Sequence, residues 1–248
     1  MTLIATRAMP RFSNLALLGL LIPTCQAAGP DLILYTEDLP PFNFQLPDGQ
    51  ISGSVTEKIA LISKQASFQY QVVMMPWARA LSTARSQANA CVYSTARTTE
   101  REAWFSWIGP MAHNEGILFS VAERPPVASS LQGAMTARIG GYNGSASAIY
   151  LSRRGYNVIM SANHDISIKN LLAGRLDYWL TNRHTANAMS ERLGLRGRLV
   201  PAIPVVNMEL YLACNPALDG QLLKRIRQAY LLLQQNGSLA AVDRKYGE

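Results

Sequence analysis

The richest chemistry in this chain lies between Cys91 and Pro110, CVYSTARTTEREAWFSWIGP. A short β-prone run, Cys91-Val92-Tyr93, ends in the hydroxyl residues Ser94 and Thr95. Arg97, Thr98-Thr99 and Glu100-Arg101 follow, then the aromatic run Trp104-Phe105-Ser106-Trp107. A strand that stops in Ser/Thr and leads into a helix start gathers free backbone N–H groups and hydroxyls at one point. An arginine one turn later suits that point to a carboxylate, because the guanidinium fork matches two carboxylate oxygens. A strand, a turn and a surface arginine is the plainer reading, and this stretch alone leaves it open.

The elements that must position these residues come from a chain of 248 residues, 48% hydrophobic and 16% charged. That length suits one large domain or two small lobes, and the composition is that of a globular protein. Residues 1–28 read as an export signal. Arg7 and Arg11 are its positive region, and Leu15 to Pro23 is an apolar run too short to span a bilayer. The small residues before Ala28 suit cleavage after Ala27 or Ala28, with a lipid-modified Cys25 as the rival. No second apolar run reaches about 18 residues, so a soluble, periplasmic mature protein is expected.

Without residues 1–28 the chain keeps 21 basic and 16 acidic residues, a formal charge of +5 rather than +7. The arginines are scattered without a Lys/Arg block, which argues against nucleic acid as a partner and for a mildly basic cleft. Cys91 and Cys214 both sit in apolar, strand-like surroundings. Two buried thiols are the default expectation, although export permits a disulfide. His113, His164 and His184 show no metal-ligand spacing. No phosphate-binding loop or nucleophile elbow occurs, so no cofactor is expected.

The order of elements reads as a parallel sheet with crossover helices, twice over. Leu32 to Thr36 is a strand closed by Pro40-Pro41. Ser54-Val55-Thr56-Glu57 has the capping-box pattern, ahead of a helix with Val55, Ile59, Ile62 and Ala66 on one face. Phe68 to Met74 is a strand, Pro76 starts a helix, and Cys91 opens the third strand. A strand from Gly116 to Val121 leads away. A second series follows: strand 137–142, helix 146–154, strand 156–160, a helix capped by Asp165, strand 176–181 and helix 183–193. Strand 208–214, a long helix 217–235 and a short helix capped by Ser238 complete the chain.

Several segments carry a resemblance. They are the Leu-Pro-Pro-Phe after the first strand, Asp48-Gly49 with Gly53 before the capped helix, Thr98-x-Glu100-Arg101 with Phe105-Ser106, the Asn143-Gly144-Ser145 turn, Leu172 to Asp177, and Asn236-Gly237-Ser238 with Lys245-Tyr246-Gly247. In this order the chain resembles the periplasmic solute-binding proteins of the amino-acid-binding type, extracellular family 3, over nearly all of its mature length. Pro76 to Leu81, Ala96-Arg97-Thr98 and Trp107 to Pro110 look like a divergent subgroup. The resemblance implies an α/β, two-lobed, type II binding-protein fold, with a ligand cleft between lobes joined by two crossing strands. It implies lobe one at 29–114 plus 206–248 and lobe two at 115–205. The chain would cross near His113 to Gly116 and return near Val205 to Glu209.

The resemblance also implies ligand contacts. Arg101 matches the arginine that clamps a ligand α-carboxylate, and Ser94 a hydroxyl that assists it. Ala96 replaces a second hydroxyl position. Trp77 falls at an apolar ligand contact, whose plainer role is core packing. Tyr35 stands near the family's aromatic lid, a position that aligns better with Leu39. Ser145 opens a helix in lobe two. Asn182 aligns with the acid that pairs with the ligand's α-amine, a departure that favours an anionic or polar solute over an ordinary α-amino acid. Glu37, or Glu209, is a candidate replacement charge. Arg79 and Arg97 would add positive charge to lobe one, or lie solvated at the surface, and Asp177 would stabilise its turn.

The expected function is capture of a small polar or carboxylate-bearing solute by a monomer that delivers it to an ABC permease, with no catalytic role. Two alternatives share the fold. One is an exported dehydratase of the cyclohexadienyl type, for which Glu37, His113 and Glu209 are the candidate acids or bases. The other is a ligand-sensing module for a membrane receptor.

Overall fold

The computed structural model describes residues 30–247. The export-signal expectation, with Cys25 and the cleavage site, lies outside them. Among the described residues no helix is long and apolar enough to cross a membrane.

Strand β1 (Leu32–Thr36) is followed by the short hairpin β2 (Phe44–Gln45) and β3 (Ile51–Ser52), then α1 (Ser54–Ala66), β4 (Tyr70–Met74), α2 (Trp77–Ser86) and β5 (Ala90–Ala96). Strand β1 pairs in parallel with both β4 and β5. Helix α1 departs from the expected capping box. Its N-cap is Gly53 at φ 125°, and Ser54 is already helical, with a buried hydroxyl that has no partner. Only glycine fits at 53, because a Cβ there would lie 2.4 Å from the Phe42 carbonyl oxygen. Glu57, freed from the box, accepts instead from Lys245 Nζ at 2.6 Å and Tyr246 OH at 2.5 Å. This fastens the C-terminal segment to α1.

Two long strands dominate the centre. β6 (Ser106–Val121) and β10 (Leu199–Cys214) are each 16 residues, far longer than the sequence pattern suggests. They run antiparallel, with Gly116 opposite Val206 and His113 opposite Glu209. The register therefore opposes the two segments expected to cross. Between them in sequence lie β7 (Ile139–Tyr142), α3 (Ala146–Arg153), β8 (Val158–Ser161), α4 (His164–Leu172), β9 (Tyr178–Thr181) and α5 (Arg183–Arg192). After β10 come α6 (Gly220–Gln235) and α7 (Ser238–Tyr246). The main sheet runs β4-β1-β5-β10-β6-β9-β7-β8, a mixed α/β sheet with helices on both sides.

The expected cap of α4 is corrected. Asn163, not Asp165, is the N-cap, accepting from the Ile166 N–H at 3.0 Å. Asp165 sits in the first turn and pairs with Arg192. At α7 the N-cap is Gly237, and Ser238 is the first helical residue.

Side-chain alternation along β1 separates two cores. Leu32 and Leu34 join Ile59, Ile62, Ile226 and Tyr230 beneath α1 and α6. Ile33 and Tyr35 join Trp77, Val92 and Phe105 on the α2 side. Residues 117–205 build two further clusters, one around Phe119, Ile168 and Trp179, the other around Ile139, Leu151 and Tyr178.

The thiol expectation is overturned. Cys91 and Cys214 form a disulfide. The antiparallel register of β5 with β10 sets the two residues directly opposite one another, although they are 123 residues apart in sequence.

Candidate functional site

A small cavity of about 70 Å³ opens where the ends of β1 and β5 and the middle of β6 face the N-termini of α3, α4 and α5. Arg101, Ser94, Trp77, Ser145, Asn182 and Glu37 all line it. Tyr35, Arg79 and Arg97 do not.

Arg101 enters from the turn after β5 and is only 3% exposed. Its Nη1 donates to the Ala96 carbonyl at 3.2 Å, and its Nη2 to the Gly144 carbonyl at 2.8 Å. The guanidinium carbon lies 5.5 Å from the Trp77 ring centroid. Burial lowers the Arg101 pKa to about 10, against the opposing pull of the Glu37 charge, so the group stays cationic at neutral pH. The Gly144 carbonyl also accepts from Trp77 Nε1 at 2.9 Å, and Tyr142 OH accepts from the Trp77 N–H at 3.0 Å. The turn at Asn143-Gly144-Ser145 is thus drawn onto α2 and Arg101 across the cleft.

Ser94 occupies a β-bulge. Tyr93 and Ser94 together oppose the single residue Leu212, and Ser94 takes φ 56°. Bulges of this kind re-aim a side chain beside a site. The Ser94 hydroxyl donates to Asn43 Oδ1, and Asn43 Nδ2 donates to the Glu37 carbonyl at 2.5 Å. Asn43 is fully buried and links the bulge to the end of β1. In the sequence the Pro-Pro-Phe-Asn run is its only signal.

Glu37 also lines the cavity and is 9% exposed. Burial raises its pKa to about 8; a hydrogen bond from Tyr142 and the Arg101 charge oppose the rise, and Asp38 adds to it. The carboxyl is therefore mostly protonated at pH 7. Tyr142, pushed to about 12 by burial, and His164, held down to about 4 by burial, also line the cavity. His164 Nδ1 accepts from Trp179 Nε1 at 3.3 Å, and its ring lies 4.9 Å from that of Tyr142. In the sequence His164 stands alone and Tyr142 is only a strand end. The fold brings them together because parallel β7 and β8 deliver both to one end of the sheet.

Asn182 and Ser145 are helix caps. Asn182 Oδ1 accepts from the Thr185 N–H at 2.7 Å, and Ser145 Oγ from the Ala148 N–H at 3.3 Å. Asn182 therefore offers the cavity an amide donor rather than a carboxylate.

Three expected residues lie elsewhere. Tyr35 faces the α2 side by strand alternation and donates to Gln87 Oε1 at 2.6 Å, while Leu39 lines the cavity. Arg79 is exposed, because the buried side of α2 carries Trp77, Ala80 and Ala84. Arg97 is exposed and forms a fork with Glu102, at 2.8 and 2.5 Å. Glu209 accepts from Tyr211 OH at 2.5 Å outside the cavity, His113 is also outside it, and Asp177 pairs with Arg138 beside its own turn.

The sequence model of the bacterial extracellular solute-binding proteins, family 3, matches residues 32–248. The chain belongs to this family. No curated protein matches this solute-binding protein, but many solved structures share its fold. A histidine kinase sensor domain with similarity to periplasmic binding proteins superposes with a TM-score of 0.79 at 19% identity, covering 87% of this chain and 95% of that one. The amino acid ABC transporter substrate-binding protein AbpA from Streptococcus pneumoniae, bound to L-arginine, gives 0.73 at 17% identity, covering 87% and 93%. The ancestral amino acid-binding protein AncCDT-1, a precursor of cyclohexadienyl dehydratase, gives 0.72 at 16% identity, covering 88% and 95%. At these identities the likeness is one of fold.

The buried Glu37 makes this binding protein's stability depend on pH. Its native pKa of about 8 lies above the ordinary 4.5. Between those values the folded protein holds a proton that the unfolded chain has released. The protonated carboxyl's contribution is complete below pH 4.5 and is lost as pH rises through 8. Glu37→Gln is therefore expected to gain stability over the wild type from pH 5 upward, reaching about 1–3 kcal/mol by pH 8 after allowance for water in the cleft. Thermal melts across that range test it, and parallel curves for the two proteins would refute it.

Proposed function

We propose that this solute-binding protein captures a small carboxylate-bearing or otherwise acceptor-rich solute between its lobes and passes it to an ABC permease in the inner membrane. It acts as a periplasmic monomer, exported by residues 1–28. Lobe one is assigned to 29–114 with 206–248, and lobe two to 115–205. The core clusters support this division, since α6 and α7 pack with α1 while the 117–205 segments pack among themselves.

The observation that carries the reading is Arg101: a cation 3% exposed in the cleft, beside a mostly neutral carboxyl and an amide where the family places an acid. Arg101 would engage the solute's carboxylate beside the Gly144 carbonyl. An α-ammonium would meet no ready charge at Asn182, and a buried charge without its partner costs about 3–5 kcal/mol. Deprotonation of Glu37 would supply a counter-charge, since the other carboxylate at the cavity, Glu115, is paired with Arg183. Binding of an amino acid would then release a proton, whereas binding of a simple carboxylate would not. Calorimetry and thermal shift against carboxylates and amino acids test the reading. A true ligand at 100 times its Kd adds about 2.7 kcal/mol of stability, and a complete panel without any rise in Tm counts against it.

A second reading has its own observation. Glu37, protonated near neutral pH beside Arg101, has the form of a general acid facing an anion site. AncCDT-1 shares the fold. Turnover of prephenate or arogenate by the wild type, lost in Glu37→Gln, would establish this dehydratase reading over simple binding. The sensor-domain likeness keeps delivery to a receptor as the variant of the first reading. Pull-down with a cognate permease separates the two.

A further inference from the structure

The cleft cavity is smaller than the roughly 300–1,000 Å³ of an ordinary small-molecule pocket, at about 70 Å³. A second space of about 930 Å³ adjoins it and shares Arg101, Ala146 and Met208 with its lining. This groove runs out between α2 and the turn after β5 on one side and α3 on the other. Its walls carry the rings of Trp104, Tyr150 and Tyr211.

The charges of the groove are unevenly balanced. Both of its carboxylates are engaged: Glu100 pairs with Arg153, and Glu209 accepts from Tyr211 OH. Arg97 is held by Glu102. Arg154 has no carboxylate partner among the described residues. Its guanidinium carbon lies 3.6 Å from the Tyr150 ring centroid and its Nη1 donates to the Tyr150 carbonyl at 3.4 Å, which places the cation on an aromatic face and leaves its Nη2 able to take an anion. One buried arginine therefore lines both spaces and a second lines the larger one, whose walls also carry aromatic and thioether surface.

We propose that this groove is a second binding subsite that takes the distal end of an elongated dianionic solute, whose inner carboxylate engages Arg101, whose apolar or aromatic middle lies against Tyr150 and Tyr211, and whose outer anionic group pairs with Arg154. The inference rests on the cleft reading above and adds the solute's class: an extended dicarboxylate rather than a compact amino acid. A polycation is disfavoured, since four arginines line the groove against two carboxylates.

Titration calorimetry with succinate, adipate, suberate and sebacate, with octanoate as the long monoanion, tests it on the wild type and on Arg154→Ala, Arg154→Glu and Arg101→Met. Arg154 is exposed, so its variants are expected to fold. Suberate and sebacate should bind more tightly than succinate. Arg154→Ala should weaken the long diacids about two- to fivefold, Arg154→Glu further still, and neither should weaken succinate or octanoate. If the Arg154 variants leave the long diacids unchanged, or weaken all probes equally, while Arg101→Met removes binding, the groove is overturned and the cleft reading stands. If Arg101→Met also leaves binding unchanged, or no probe binds the wild type, the cleft reading falls and the groove with it.

Discussion

Exchanging Arg101 for methionine is expected to weaken binding of a carboxylate solute by about 10- to 150-fold, and Arg101→Glu to remove it. A hydrogen bond to a charged group contributes roughly 1.5–3 kcal/mol, and each 1.4 kcal/mol is a factor of about ten. Charge reversal adds repulsion in a site where burial keeps water from screening it. Because Arg101 also holds the carbonyls of Ala96 and Gly144, a drop in Tm should accompany the loss of affinity. Measuring both separates the effects: methionine keeps the apolar stem against Trp77 while removing the fork. Unchanged affinity in a folded Arg101→Glu protein would place the binding site elsewhere.

The second large effect concerns stability. The double variant Cys91→Ala/Cys214→Ala is expected to lose about 2–5 kcal/mol, because the disulfide closes a long loop in the unfolded chain. The bond joins residues separated by 123 positions. For a domain of this size that corresponds to a fall in Tm of roughly 4–20 °C. Both residues are fully buried in the sheet between β5 and β10, away from the cleft cavity. Solute affinity measured well below Tm should therefore be retained. A Tm indistinguishable from the wild type would remove the disulfide from the account of stability.

The groove and the cleft divide what the two arginines do. Arg101 is buried and committed to both sides of the cleft, so its loss should be felt by every anionic solute. Arg154 is exposed at the outer groove, so its loss should be felt only by solutes long enough to reach it. Glu37 governs a third property, the coupling of binding and stability to pH.

Local pattern was enough to locate much of this. Alternation in Leu32 to Thr36 and the helical spacing of Val55, Ile59 and Ile62 report which face of an element is buried, a property of the element alone. The same local signals place Arg101 after a strand end and Ser145 at a helix start, the family resemblance adds Asn182, and the structure brings all three to the cavity. They misplace the cap of α1, where Gly53 must avoid the Phe42 carbonyl, a contact from eleven residues earlier. The resemblance misplaces Tyr35, since nearness to the lid position does not say which side of β1 the cleft occupies, and Leu39 lines it instead.

By its sequence alone this chain determined its family, the α/β order of its elements and the arginine at its cleft, because these follow from short-range periodicity and a set of ordered motifs. Only the tertiary structure decided the rest. The Cys91–Cys214 bond depends on a strand register across 123 residues. The neutral Glu37, with Tyr142 and His164 beside it, depends on burial by elements drawn from both halves of the chain. The fork of Arg101 across Ala96 and Gly144, and the groove leading to Arg154, exist only where those halves meet.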